Sequence, residues 1–139
     1  MSLHYKIGID PGVDTGMAIV DGGTYVSIET MSITRALNLV SLLILDGNKV
    51  EVYIEDPNLR KWYGPNAAAK KQGAGSVKRD YSIWKTYCKE NNIKIYSVHP
   101  KDVGSLFDNE LLFKSATKWV KKCSIHARDA ARMVYKFVK

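Results

Sequence analysis

Apolar and polar positions alternate through the first part of the chain, which is the pattern of half-buried β-strands. Short turns rich in glycine, proline and aspartate interrupt the alternation twice. The pattern predicts three strands, over 5–10, 15–20 and 25–29. Because the turns between them are tight, we expect these strands to pair as an antiparallel meander.

After residue 33 the apolar spacing changes, and helical segments alternate with strands. Thr34 is expected to cap the first helix, and Gly73-Ala74-Gly75 to interrupt the second. The pattern predicts helices over 34–45, 66–90, 115–122 and 125–137, and strands over 50–55 and 93–98. Strands reached through helices favour parallel pairing. The sequence therefore predicts one α/β domain over 1–139, with a mixed five-stranded sheet flanked by helices.

Two carboxylates lie at the carboxyl ends of predicted strands. Asp10 ends the first strand and Glu55 ends the fourth. If the strands are parallel neighbours, the two side chains converge at the edge where α/β folds place their sites. A single acid at such a position is more often a turn former. Two acids side by side repel each other unless a cation compensates them, which favours a metal site.

The last predicted helix adds a second pair of possible ligands. His126 and Asp129 are three positions apart and project from the same side, with Asp129 one turn before the apolar Met133. The alternative is a first-turn acid favoured by the helix dipole beside a partly exposed histidine. With Asp10 and Glu55 the set has three carboxylates and one imidazole, which suits Mg²⁺ or Mn²⁺ better than Zn²⁺ or iron. Two such ions can catalyse phosphodiester hydrolysis.

The charge is strongly positive, with a net value of +7 and an isoelectric point near 9.4. Basic residues cluster over 60–89 and over 114–139, and each cluster contains a single acid, Asp80 in the first and Asp129 in the second. This favours an anionic partner such as nucleic acid, although many basic proteins bind nothing specific. Within the first cluster, Arg60, Lys61, Lys78 and Arg79 are candidate contacts to the DNA backbone.

Other features limit the classes of function. Cys88 and Cys123 have no metal-ligand spacing and no signal peptide is recognisable, so we expect reduced thiols in a cytoplasmic protein. The longest apolar run, over 39–45, is too short to span a membrane. The glycine-rich stretch near residue 75 lacks the spacing of a nucleotide-binding loop, so no nucleotide cofactor is expected.

Three motifs occur in order along almost the whole chain. They are Gly8-Ile9-Asp10-Pro11-Gly12 with Thr15-Gly16, then Val52-Tyr53-Ile54-Glu55, then His126-Ala127-Arg128-Asp129-Ala130-Ala131. Together they resemble the RuvC family of Holliday junction resolvases, within the ribonuclease-H-like superfamily, and the compact basic chain suggests its phage-type branch. The resemblance implies a homodimer that cleaves branched DNA. It also implies two metal ions per site, held by Asp10, Glu55, His126 and Asp129.

The chain departs from the family pattern at one position. The family has a lysine after the valine of a Pro-x-x-Val segment, whereas Gly104 follows Val103 here. Lys101 and Lys114 are the candidates for phosphate contact or transition-state charge. Trp62 and Tyr63 lie where the family places an aromatic that stacks at the opened junction, with local packing as the alternative.

Three other functions remain open at this point. One is a ribonuclease H or another nuclease of the superfamily, which would differ in substrate. Another is a non-catalytic DNA-binding protein that uses only the basic clusters. A sugar-kinase or actin-like ATPase also has a phosphate loop after its first strand, but 139 residues are too few for its two domains.

Overall fold

A computed structural model of the chain describes residues 3–59, 67–99 and 109–139. The strands are β1 (His4–Asp10), β2 (Asp14–Asp21), β3 (Thr24–Ser32), β4 (Lys49–Glu55) and β5 (Lys94–Val98). The α-helices are α1 (Ile33–Leu45), α2 (Ala67–Glu90), α3 (Glu110–Thr117) and α4 (Ile125–Val134). Short 3₁₀ turns follow β4 and α4, at Pro57–Leu59 and Tyr135–Phe137. None of the described helices is long and apolar enough to cross a membrane.

The five strands form one mixed sheet in the order β3-β2-β1-β4-β5. β1, β2 and β3 pair antiparallel, whereas β4 pairs parallel to β1 and β5 pairs parallel to β4. This confirms the predicted sheet. Ile9 of β1 lies opposite Ile54 of β4, so the next residues, Asp10 and Glu55, end neighbouring strands at the same edge.

The two faces of the sheet bury separate apolar clusters. On one face α1 and α2 pack against the sheet, with Val40 and Trp84 fully buried. On the other face α4 packs across the strands through Ala130, Ala131 and Val134, and Phe113 of α3 joins this second cluster. Burial on both faces accounts for the continuous apolar run of β2, over Met17–Val20. The candidate site lies on the α4 face.

Several predicted helix boundaries were wrong. Ser32, not Thr34, caps α1, because β3 continues to Ser32 and its hydroxyl accepts a hydrogen bond from the Arg35 amide. α2 is continuous through 73–75, so the predicted interruption is absent and its amides there are internal to the helix. The last α-helix ends at Val134, followed by a 3₁₀ turn.

The helix predicted over 115–122 lies earlier, at Glu110–Thr117. Asn109 begins it, since its side-chain oxygen accepts hydrogen bonds from the amides of Leu111 and Leu112 at 2.7 and 3.3 Å. Lys118 ends it with a left-handed backbone, at a φ of 60°. Both ends of the helix are therefore fixed by local capping residues, Asn109 and Lys118. The prediction followed the spacing of apolar residues, which does not show where a helix is capped.

Candidate active site

An acid and an imidazole meet at the carboxyl edge of the sheet. Asp10 is the last residue of β1, and His126 lies in the first turn of α4. Asp10 Oδ2 and His126 Nδ1 are 2.9 Å apart. The Asp10 side chain is 14% exposed and that of His126 is 48% exposed, so the pair lies at the surface of the domain and is accessible to solvent.

Two glycines allow α4 to lie this close to the strands. A Cβ atom on Gly16 would be 2.0 Å from the carbonyl oxygen of His126, and one on Gly8 would be 2.1 Å from that of Ala130. Gly16 of β2 is also the register partner of Asp10. The helix backbone therefore lies directly on the sheet at the point where Asp10 ends its strand. Glycine within a strand often marks such a close backbone approach, which is the signal that sequence reasoning missed.

The start of α4 is fixed by side-chain hydrogen bonds. Ser124 caps the helix, since its hydroxyl accepts from the amide of Ala127 at 3.2 Å. The same hydroxyl contacts that of Thr30 on β3. Together these contacts connect the first turn of α4 to the sheet and position His126 beside Asp10.

Glu55 occupies the neighbouring strand end. It is the last residue of β4, and its register partner on β5 is Val98. Because adjacent strands are roughly 4.8 Å apart, Asp10 and Glu55 are at neighbouring positions along the edge. The two strand ends are therefore neighbours, as the sequence pattern predicted, and convergence of the two side chains stays a prediction.

Asp129 lies one turn after His126 on α4 and forms an ion pair with Arg132, one turn further on. Its side chain is 25% exposed. In the described part of the chain, acids, histidines and cysteines form no group of three or more that could hold a metal ion. Of the four predicted ligands, the described contacts join Asp10 to His126. The described residues do not form the complete cluster that would also include Glu55 and Asp129.

The carboxylates favour the protonated form of His126. The hydrogen bond to Asp10 raises the pKa of the imidazole; burial lowers it, and the charges of Asp10, Asp129 and Asp14 raise it further. Asp14, the exposed first residue of β2, was not among the predicted site residues. A metal ligand has to be the neutral imidazole, so binding of a metal ion by this ring would release its proton.

The predicted DNA contacts fall into two groups. Lys78 is exposed on α2, where the neighbouring Arg79 donates hydrogen bonds to Asp80 and Ser76, both at 3.2 Å. Lys114 forms an ion pair of 3.4 Å with Glu110 on α3. α2 packs on the face of the sheet opposite α4, so Lys78 and Arg79 do not adjoin the Asp10–His126 pair. Outside the described residues lie Arg60, Lys61, Trp62, Tyr63 and Lys101.

Solved structures share this fold. One is Thermus thermophilus RuvC in complex with Holliday junction substrate, with 18% identity and a TM-score of 0.60, over 96% of this chain and 93% of that chain. Another structure of Thermus thermophilus RuvC has 17% identity and a TM-score of 0.59 over the same shares. No protein-family model and no curated protein matches the chain. The chain therefore has the ribonuclease-H-like fold of RuvC, which confirms the resemblance at the level of the fold.

Proposed function

We propose that the chain is a Mg²⁺-dependent endonuclease that hydrolyses phosphodiesters in branched DNA, with the Holliday junction as its main substrate. The observation that supports this most directly is the contact between Asp10 and His126, at the sheet edge where Glu55 also ends its strand. The fold is that of RuvC, and one RuvC structure with this fold is in complex with Holliday junction substrate. We expect it to act in the cytoplasm, where its two buried cysteines remain thiols.

Asp10, Glu55 and Asp129, with His126, are the residues that would hold Mg²⁺ or Mn²⁺, as two ions per site. The donor set fits these ions, because hard divalent cations prefer carboxylate oxygens and the acids at this edge repel one another without a cation. Bound ions of this kind activate a water molecule and stabilise the leaving oxygen. β1 and β4 keep Asp10 and Glu55 at a constant separation, and Asp10 orients the imidazole of His126.

The positive charge of the chain supports a DNA partner. Three exposed lysines, Lys118, Lys121 and Lys122, lie between α3 and the start of α4, close in sequence to His126. Lys114 precedes them on α3. We infer that these residues contact phosphates near the scissile strand, and that Lys78 and the predicted contacts at 60–63 and 101 bind the arms of the junction. Arg79 lines the groove between α1 and α2, so a dimer formed there would remove it from the DNA contacts.

Cleavage of a labelled four-way junction tests the proposal. We expect cleavage with Mg²⁺ and none with EDTA. Asp10→Asn or Glu55→Gln should lower the rate at least about a hundredfold, since each removes a proposed metal ligand, while junction binding persists. Asp21→Asn is the matched control, because Asp21 ends β2 at the opposite edge of the sheet. Cleavage by the Asp10→Asn variant at the parental rate would contradict the metal-site assignment.

Two substrates separate the remaining alternatives. Cleavage of the RNA strand of an RNA–DNA hybrid, with junctions left intact, would indicate a ribonuclease H and contradict the junction assignment. Equal binding of DNA with Mg²⁺ and with EDTA, with no cleavage of any substrate, would indicate a non-catalytic DNA-binding protein.

The active form is proposed to be a homodimer, so that two sites can nick opposing strands of one junction. Exposed apolar side chains on the face opposite α4 support this, among them Leu42 on α1 and Ile83 on α2. Between these helices lies a groove of mixed lining, in which Leu37, Ile83 and Tyr87 adjoin Arg79, Ser82, Thr86 and Glu90. Exposed apolar side chains with a polar rim are typical of a surface that a protein partner covers.

A further inference from the structure

We propose that Arg132 is an internal counter-ion that competes with a divalent cation for Asp129. The inference rests on the proposed function, since it takes Asp129 to be a metal ligand. It adds a residue that none of the three sequence motifs contains, and it assigns that residue a role in setting the affinity for the metal ion.

The contacts on α4 lead to this proposal. Nη2 of Arg132 contacts Oδ1 of Asp129, and the two residues are three positions apart on the same helix. The side chain of Arg132 is only 12% exposed, so its charge lies within the domain surface rather than in bulk water. A partly buried ion pair of this kind is screened less by salt than an exposed pair.

The acids of the site are thus compensated from within the chain. His126 contacts Asp10, and Arg132 contacts Asp129. The described contact of the Asp129 carboxylate is with the guanidinium of Arg132, and among the described residues the acids and histidines form no group of three that could hold a metal ion. Internal cations of this kind offset the repulsion among the acids that a metal ion would otherwise offset.

A divalent cation on Asp129 would lie within a few ångströms of the guanidinium. Like charges at such a separation repel strongly in a partly buried environment. Binding of the ion therefore has to weaken the contact between Arg132 and Asp129, and the affinity for the ion is lower than the acids alone would give. The alternative role is the opposite one. An arginine that only orients the carboxylate of Asp129 would increase the affinity for the divalent cation.

Titration calorimetry with Mn²⁺, in the absence of DNA, distinguishes these roles. We expect Arg132→Met to bind Mn²⁺ roughly tenfold more tightly than the parent, because one repulsive charge is removed. Arg132→Lys, which keeps the charge, should bind nearly as the parent does. Arg35→Met is the matched control, since it removes an equal charge from an exposed position on α1. It should leave the affinity unchanged.

Thermal unfolding gives a second readout. In EDTA the Arg132→Met variant should unfold at a lower temperature than the parent, because Asp129 loses its counter-ion. Saturating Mn²⁺ should reduce that difference, since a ligand that binds the folded state more tightly stabilises it more. In an Asp129→Asn background, Arg132→Met should no longer change the Mn²⁺ affinity.

An unchanged or weaker Mn²⁺ affinity of Arg132→Met would overturn the proposal. If circular dichroism shows that this variant is unfolded, Arg132→Gln decides by the same criterion. Failure of the parent to bind Mn²⁺ would overturn the proposed metal site itself. The two outcomes are distinguishable. If only the proposal for Arg132 fails, the parent still binds Mn²⁺ and cleaves the junction.

Discussion

Gly8 and Gly16 set the distance between α4 and the sheet, and with it the contact between His126 and Asp10. Both lie in strands, where glycine weakens local pairing, so their presence needs a reason beyond strand formation. The reason is the backbone of α4. Its carbonyl oxygens at His126 and Ala130 lie where Cβ atoms on Gly16 and Gly8 would have to be. The site therefore depends on two residues that have no side chain.

Replacement of Gly16 tests this packing. Gly16→Ala should destabilise the fold by about 3 kcal/mol or more, because backbone atoms must move to admit the methyl group. Gly75→Ala is the matched control, since nothing lies within 4 Å of its added Cβ and it lies within α2. It should stabilise by up to about 1 kcal/mol, as alanine replaces glycine inside a helix. Urea denaturation measures both, and equal effects would contradict the packing argument.

Glu51 gives a pH-dependent contribution to stability. Burial alone would raise the pKa of its carboxyl, but hydrogen bonds from Lys6 at 3.0 Å and Tyr53 at 2.9 Å outweigh burial and lower it. A folded-state pKa below the unfolded value of about 4.3 stabilises the protein above that pH. The stabilisation is lost as the pH falls through the folded-state pKa.

Glu51→Gln should therefore lower the free energy of unfolding near neutral pH, and the difference from the parent should disappear in acid. Urea denaturation at a series of pH values from neutral into acid measures this difference. Glu29→Gln, at an exposed position on β3, should change little at any pH. A Glu51→Gln difference that stays constant with pH would contradict the charge-based explanation.

At the scale of elements, local signals identified each described strand and helix but placed some ends wrongly. Thr34 and Ser32 are both good caps by residue type, and only the length of β3 decides between them. Gly73-Ala74-Gly75 lies inside the continuous α2, because the packing of Tyr81, Trp84 and Cys88 against the sheet stabilises the helix as a whole.

Substitution of the two hydroxyl residues separates the observed cap from the predicted one. Ser32→Ala should cost about 1 kcal/mol, since it removes the acceptor for the Arg35 amide at 3.3 Å. Thr34→Ala should change stability by less than about 0.5 kcal/mol, because Thr34 contributes only a hydroxyl contact to Ser32. Thermal unfolding of both variants compares them, and a larger cost for Thr34→Ala would restore the original prediction.

At the scale of the whole molecule, the faces of the sheet have different proposed roles. The α4 face contains Asp10, His126 and the lysines that precede α4. The α1–α2 face presents the groove proposed for the dimer. A dimer formed through that groove would leave the carboxyl edge of each sheet, with Asp10 and His126, uncovered.

Light scattering tests this arrangement. The parent should have about twice the chain mass of 15.6 kDa. Ile83→Glu should shift it toward the monomer, because a charge would replace an apolar side chain in the proposed interface. Val120→Glu is the control, since Val120 is 86% exposed and lies outside the groove. A parent that remains monomeric and still cleaves the junction would contradict the dimer but not the nuclease.

The sequence by itself determined the order and type of the elements and the placement of Asp10 and Glu55 at strand ends. These depend on alternation and turn residues, which act between near neighbours in the chain. The tertiary structure alone decided the contact between Asp10 and His126, which are 116 positions apart. It also decided the close approach of α4 to Gly8 and Gly16. Packing and electrostatics between segments that are distant in the chain determine these contacts.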